Sequence, residues 1–181
     1  MTRGKPLGFV SGVIVRRATP ADAPAIAQVH VASWQSAYHG FFPPSVLDHL
    51  SVADRQALWG PRLASGSHSI WVSAEGEGVT GFISACPSRD ADLPPPATAE
   101  IAALYVDPSA WGTGCGRVLC EAAFAHMRLT AAETVTVWVL AGNAHARHFY
   151  ERLGFASDDT RKDITLFNVT LPEVRYRQSL R

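Results

Sequence analysis

Apolar and polar positions follow two rhythms along this chain, and each change of rhythm marks an element. Residues 13–16 open with three consecutive β-branched apolar residues, which predicts an opening strand. Thr19 then suits an N-cap, Pro20 the first helical position and Asp22 the first turn. Ile26, Val29, His30 and Trp34 follow at helical spacing and share one face until Gly40 and Pro43-Pro44 end the run. Shorter helical stretches are predicted over 45–50 and 52–63. Residues 69–74 alternate as a strand, and 79–85 answer it across Gly76 and Gly78 as a hairpin partner.

A Pro-rich run over 86–98 reads as a surface loop, and 101–106 as a buried strand that Pro108 terminates. Gly112, Gly114 and Gly116 follow at every second position, ahead of a helical pattern over 118–127. Residues 134–140 are a β-branched strand, and 143–153 a helix closed by Gly154. Three last strands are predicted over 155–157, 164–169 and 174–178. Strands interleaved with helices imply a mixed α/β fold with a central sheet and helices on its faces. With 181 residues the chain suits one domain over 12–181, preceded by a loose extension over 1–11.

The strand, glycine turn and helix at mid-chain carry the clearest chemistry. A helix start leaves backbone N–H groups unpaired and partially positive, and glycine lets a diphosphate approach without a Cβ in the way. Two familiar nucleotide motifs are excluded by spacing. The dinucleotide fingerprint needs Gly where Arg117 stands, and the Gly-Lys-Ser/Thr of a phosphate loop is absent.

Trp111-Gly112-Thr113-Gly114-Cys115-Gly116 instead resembles the Arg/Gln-x-x-Gly-x-Gly/Ala signature of the GNAT superfamily of N-acetyltransferases, with Trp111 in place of the usual Arg or Gln. The resemblance extends to Asn143, Phe149-Tyr150 and Gly154-Phe155 downstream and to the run from Val13 to Ala23 upstream, covering roughly residues 12–178. It implies a mostly antiparallel mixed sheet flanked by helices, with two strands splayed at the cofactor site. It further implies acetyl-CoA as acyl donor, CoA as product, and direct attack by an amine in a ternary complex.

By that resemblance, Leu104, Tyr105 and Val106 would offer backbone groups to the pantetheine arm. The loop of Trp111, Gly112, Thr113, Gly114, Cys115, Gly116 and Arg117 would hold the diphosphate, and Asn143 would lie near the arm or serve as a plain N-cap. Tyr150 would protonate the departing thiolate, and Glu100 would activate the amine through water. The readings that rival these roles are a packed aromatic for Tyr150 and a solvated carboxylate for Glu100. Trp34 and Tyr38 would form an acceptor wall, or alternatively core.

Bulk properties narrow the partners. Sixteen basic and sixteen acidic residues cancel, so no overall field favours nucleic acid or an anionic membrane. No long apolar stretch suggests a signal peptide or membrane span. Three cysteines without a Cys-x-x-Cys pair fit a reducing cytoplasmic setting. His145 and His148 lie three apart but lack further ligands, so no metal site is expected. The expected partner is a small-molecule or peptide amine acceptor, with pairing of two copies through terminal strands as in many relatives. The non-enzyme alternative is a sensor that binds acyl-CoA without turning it over.

Overall fold

The computed structural model describes residues 12–76 and 78–181; the expected extension over 1–11 lies outside the described residues. Seven strands form one sheet in the order β1-β2-β3-β4-β5-β7-β6. They are β1 (Val13–Arg17), β2 (Ser69–Glu75), β3 (Gly78–Pro87), β4 (Thr98–Val106), β5 (Thr134–Leu140), β6 (Ala156–Leu166) and β7 (Val169–Ser179). Every neighbouring pair is antiparallel except β4 and β5. Among the described residues five α-helices accompany the sheet: α1 (Ala23–Ala37), α2 (Pro44–Leu47), α3 (Val52–Ser65), α4 (Cys115–Met127) and α5 (Ala144–Arg152).

Alternation along the strands sends side chains into two cores. Ile70, Val72 and Phe82 meet Ile26 and Val29 of α1 and Trp59 of α3 on one face. Trp71, Ile83, Ile101, Val135, Val137 and Val174 meet Leu119, Cys120 and Phe124 of α4 and Tyr150 of α5 on the other. A third cluster joins Trp34, Phe42 and Leu47 to Leu166, Val169 and Leu171, so the β6–β7 hairpin packs against the segment after α1.

Three predicted boundaries move. Thr19 and Asp22 do form a cap, the Thr19 N–H donating to Asp22 at 2.7 Å, but it starts a single 3₁₀ turn and α1 proper begins at Ala23. Helix α4 begins at Cys115, three residues before the predicted start. The three predicted C-terminal strands are two long ones. Residues 164–169 do not form one strand, because Phe167 and Asn168 turn the chain with φ of +52° and +61°. Positive φ at both central residues is what a tight hairpin of right-handed twist requires.

Candidate active site

The parallel pairing of β4 with β5 is short. It runs from Thr98↔Thr134 to Ile101↔Val137 and stops, although β4 continues to Val106 and β5 to Leu140. On its other side β4 stays paired with β3, where the register steps from Ser84↔Ala103 to Ala85↔Ile101 and leaves Ala102 as an extra residue. Such a bulge bends the strand and raises its twist, which carries β4 away from β5. The result is a splay with one free backbone edge along residues 102–106.

A cleft of about 720 Å³ opens at the splay. Leu104, Tyr105 and Val106 line it from β4, with Tyr38 beyond α1, Trp111, Gly112, Gly114, Cys115, Gly116 and Arg117 at the start of α4, and Asn143 and Tyr150 from α5. Most of the predicted cofactor set therefore converges, from segments far apart in sequence. Ser33, Ser36 and Arg152 also line it and carry no sequence signal, and His145, which the sequence offers only for a metal site, lines it too.

The turn before α4 is shaped by two different glycine requirements. Gly112 and Gly114 have φ of +78° and +89°, a conformation that L side chains rarely adopt. At Gly116, a Cβ would stand 3.2 Å from the Phe149 ring, so this glycine lets α4 and α5 approach each other. Arg117 N–H already donates to the Gly114 carbonyl at 3.0 Å. The amides of residues 112–116 have no backbone acceptor among the described residues, and they sit at the positive end of a 13-residue helix. The Arg117 side chain pairs with Glu121 at 2.9 Å, and the Thr113 hydroxyl donates to the Ala110 carbonyl at 2.8 Å.

Trp111 does more than fill a motif position. Asp107 donates its N–H to Thr80 on β3, so the Val106 carbonyl of the same trans peptide points the other way, into the splay. Trp111 Nε1 donates to that carbonyl at 2.8 Å, and the indole stacks on His145 with 5.9 Å between centroids. The carbonyl expected for pantetheine is thus held by an indole in this structure.

Tyr150 is packed by Phe149 and Phe155 at 5.2 and 5.4 Å, yet its hydroxyl makes no hydrogen bond among the described residues. Burial, helped by Cys120 and Tyr105, holds its pKa well above 10, so the phenol keeps its proton at neutral pH. Asn143 caps α5, its side chain accepting from Ala146 N–H at 3.0 Å, and it also lines the cleft. Tyr38 lines the cleft, whereas Trp34 is buried beneath it at 4.7 Å between ring centroids.

Glu100 is 2 % exposed and faces the α1 side of the sheet. Arg89 clasps both of its carboxylate oxygens, and the Arg89 backbone N–H adds a third contact at 3.2 Å. Below the same face His30 stacks on Tyr105 at 4.8 Å and accepts from Trp59 Nε1 at 3.0 Å. Burial, with Arg55 and Arg62 nearby, lowers its pKa to about 3. The cysteines are free; burial raises the Cys115 thiol, against hydrogen bonds from Ser73 and Thr80 that lower it. Among the described residues there is no cluster of three metal-binding side chains and no helix long and apolar enough to cross a membrane.

Comparison with known proteins agrees with this architecture. Residues 31–155 match the acetyltransferase (GNAT) family. A probable N-acetyltransferase of Mycobacterium tuberculosis is 29% identical over 92% of this chain and 94% of its own. A mycothiol acetyltransferase of Beutenbergia cavernae is 34% identical over 60% of this chain, which corresponds to 33% of that larger protein. The N-acetyltransferase from Thermoplasma acidophilum, solved in complex with coenzyme A, superposes with a TM-score of 0.74 at 16% identity, covering 93% of this chain and 99% of its own; this is a likeness of fold.

Proposed function

The chain belongs to the acetyltransferase (GNAT) family, acyltransferases with acetyl-CoA as cosubstrate, and on that footing we propose that the splay holds acetyl-CoA while an amine attacks its acetyl group. The observation that carries this reading is the early end of the β4–β5 ladder at Ile101↔Val137, beside a turn whose amides lack acceptors. The diphosphate lies against the amides of residues 112–116, where the helix dipole favours negative charge. The pantetheine arm, with its two amides, runs along the edge of β4 between Leu104 and Val106, and the thioester comes to rest near Tyr150. Gly112 and Gly114 supply the turn, and Gly116 the close approach of α5 that narrows the cleft.

Transfer is direct. The amine nitrogen attacks the thioester carbonyl carbon, the C–N bond forms, and the C–S bond breaks. Tyr150 donates its phenolic proton to the leaving sulfur and regains one from the nitrogen that has become an amide. Its packing against Phe149 and Phe155 fixes the ring, and the unpartnered hydroxyl is free to point at the sulfur. The acceptor enters from the α1 side, past Tyr38, and is a small-molecule or peptide amine. Glu100 faces that side clasped by Arg89, which occupies the lone pairs that a relayed water would use.

Thiol release from acetyl-CoA, followed in the presence of a panel of primary amines, tests the reading. Release that depends on an amine supports transfer; tight CoA binding with no release would leave a binding module in its place.

A further inference from the structure

The α1-facing side of the sheet beyond the splay holds a group of charges that the cofactor does not need. Val174 and Tyr176 of β7 point into the α4–α5 core, so Glu173 and Arg175 project to the opposite face. Arg175 is 3 % exposed and binds Asp90, Asp92 and Asp158, the closest contacts at 3.2, 2.7 and 2.8 Å. Trp138 of β5 donates to Asp90 at 3.1 Å, and Lys162 of β6 sits 3.9 Å from its ring. Trp138 is the first β5 residue beyond the last pairing with β4, which puts the group at the lip of the splay.

The carboxylates here are not equivalent. Glu100 is clasped by Arg89, and the three aspartates are bound to Arg175. Among the described residues Glu173, only 12% exposed at its side chain, has one ion-pair partner, Lys162 Nζ at 3.8 Å, beyond hydrogen-bond range and itself 44% exposed. Its backbone pairs with Leu140, where β5 ends one strand away from the gap. Leu171, two residues earlier on the same face of β7, packs in the cluster that also takes Tyr38 and Tyr105, the tyrosines on the acceptor side of the cleft.

We propose that Glu173 is a catalytic residue that receives the acceptor's ammonium at the splay and takes its proton. The assignment rests on the acetyl-transfer reading given above. The ammonium nitrogen gives one proton to the Glu173 carboxylate and becomes a neutral amine with a free lone pair. After attack, the second proton leaves nitrogen for Tyr150 as Tyr150 protonates the thiolate, and Glu173 then releases its proton to solvent. One amide, one thiol and one free proton result.

The groups facing Glu173 fix its behaviour with pH. Burial raises its pKa above the ordinary carboxylate value, and Glu100 of β4 adds to that; Lys162 of β6 and Arg89 of the β3–β4 segment oppose it. Arg175 shares its strand and face but is neutralised by the three aspartates, and Tyr38 and Tyr105 stay protonated because burial raises both.

The test compares kcat/KM between pH 4.5 and 9 for the wild type, Glu173→Gln, Glu100→Gln and Lys162→Met. Acetyl-CoA is used with ethylenediamine, glucosamine and an alanyl peptide as acceptors, and CoA affinity is measured alongside. Glu173→Gln is expected to lose about 100-fold in kcat/KM at pH 7 and to lose the acid limb, with CoA affinity within about twofold. Lys162→Met is expected to move that limb to higher pH, a shift that a merely structural role would not give and that needs no removal of Glu173. Glu100→Gln is expected to keep the limb. If the wild type turns over while Glu173→Gln retains its rate and profile, or if only Glu100→Gln loses the limb, the Glu173 assignment is overturned and the transfer reading stands. A wild type that binds CoA and acetylates none of the three overturns both.

Discussion

The two sides of the splay are built from different materials. On the α4–α5 side, the cleft is made of backbone: amides at a helix start, the free edge of β4, and glycines that let these approach. On the α1 side it is lined by side chains, with Tyr38 and with Tyr105 stacked on His30, and the charged group of Glu173, Lys162 and Arg175 stands beyond it on the same face of the sheet. Backbone donors recognise what every CoA thioester shares, whatever its partner. Side chains can be exchanged one at a time, so on the proposed function the second side is the one assigned the choice of acceptor and the handling of its proton.

The largest expected effect falls on the backbone side. Gly114→Glu places a carboxylate at the helix start and a Cβ at φ of +89°; CoA affinity by calorimetry is expected to fall more than about 100-fold, with the circular dichroism spectrum retained. Micromolar binding in that variant would remove the diphosphate from this turn. Tyr150→Phe acts where the two sides meet. A kcat loss of about 100-fold is expected with CoA affinity nearly unchanged, and wild-type turnover would reduce Tyr150 to a packing residue.

Tyr38→Ala touches the acceptor side alone. Its KM for the amine is expected to rise about tenfold while CoA affinity holds, and an equal weakening of both would show that the sides are not separable. The smallest effect concerns His30 beneath the acceptor side. Its pKa of about 3 lies below the ordinary 6.5, so the unfolded chain takes up this proton first and stability falls as pH drops below about 6.5. The slope is at most about 1.4 kcal/mol per pH unit. Denaturation midpoints between pH 6.5 and 4.5 should therefore fall less for His30→Gln than for the wild type, and parallel slopes would contradict a buried neutral imidazole. That window lies above the range of Asp22, which Arg16 holds at about 2.

The backbone side was legible in the sequence because its parts are local. Strand, proline, glycine turn and helix lie within one continuous stretch, and residues 134–140 were bounded correctly by their β-branched run. The acceptor side is not legible, because Trp138, Lys162 and Glu173 are brought together only by the register of β5, β7 and β6. That register depends on two features with weak local signals. One is a hairpin turn that begins with Phe167 at positive φ, where Gly or Asn would be the usual sign; the other is the irregularity around Asp159, at φ +62°, between Ser157 and Arg161. Glu100 is legible in the sequence as a candidate base acting through water, but its clasp by Arg89 comes from a loop that reads only as Pro-rich. For Trp34 the sequence leaves wall and core open, because helical spacing fixes a shared face and not the depth of each residue on it; Trp34 is buried and Tyr38 lines the cleft.

The most direct measurement is a crystal structure of the protein with CoA. The diphosphate oxygens are expected about 3 Å from the amides of residues 112–116, with the pantetheine arm along the free edge of β4 and the sulfur facing Tyr150. A diphosphate seated away from the start of α4, or an arm outside the gap between β4 and β5, would contradict the account.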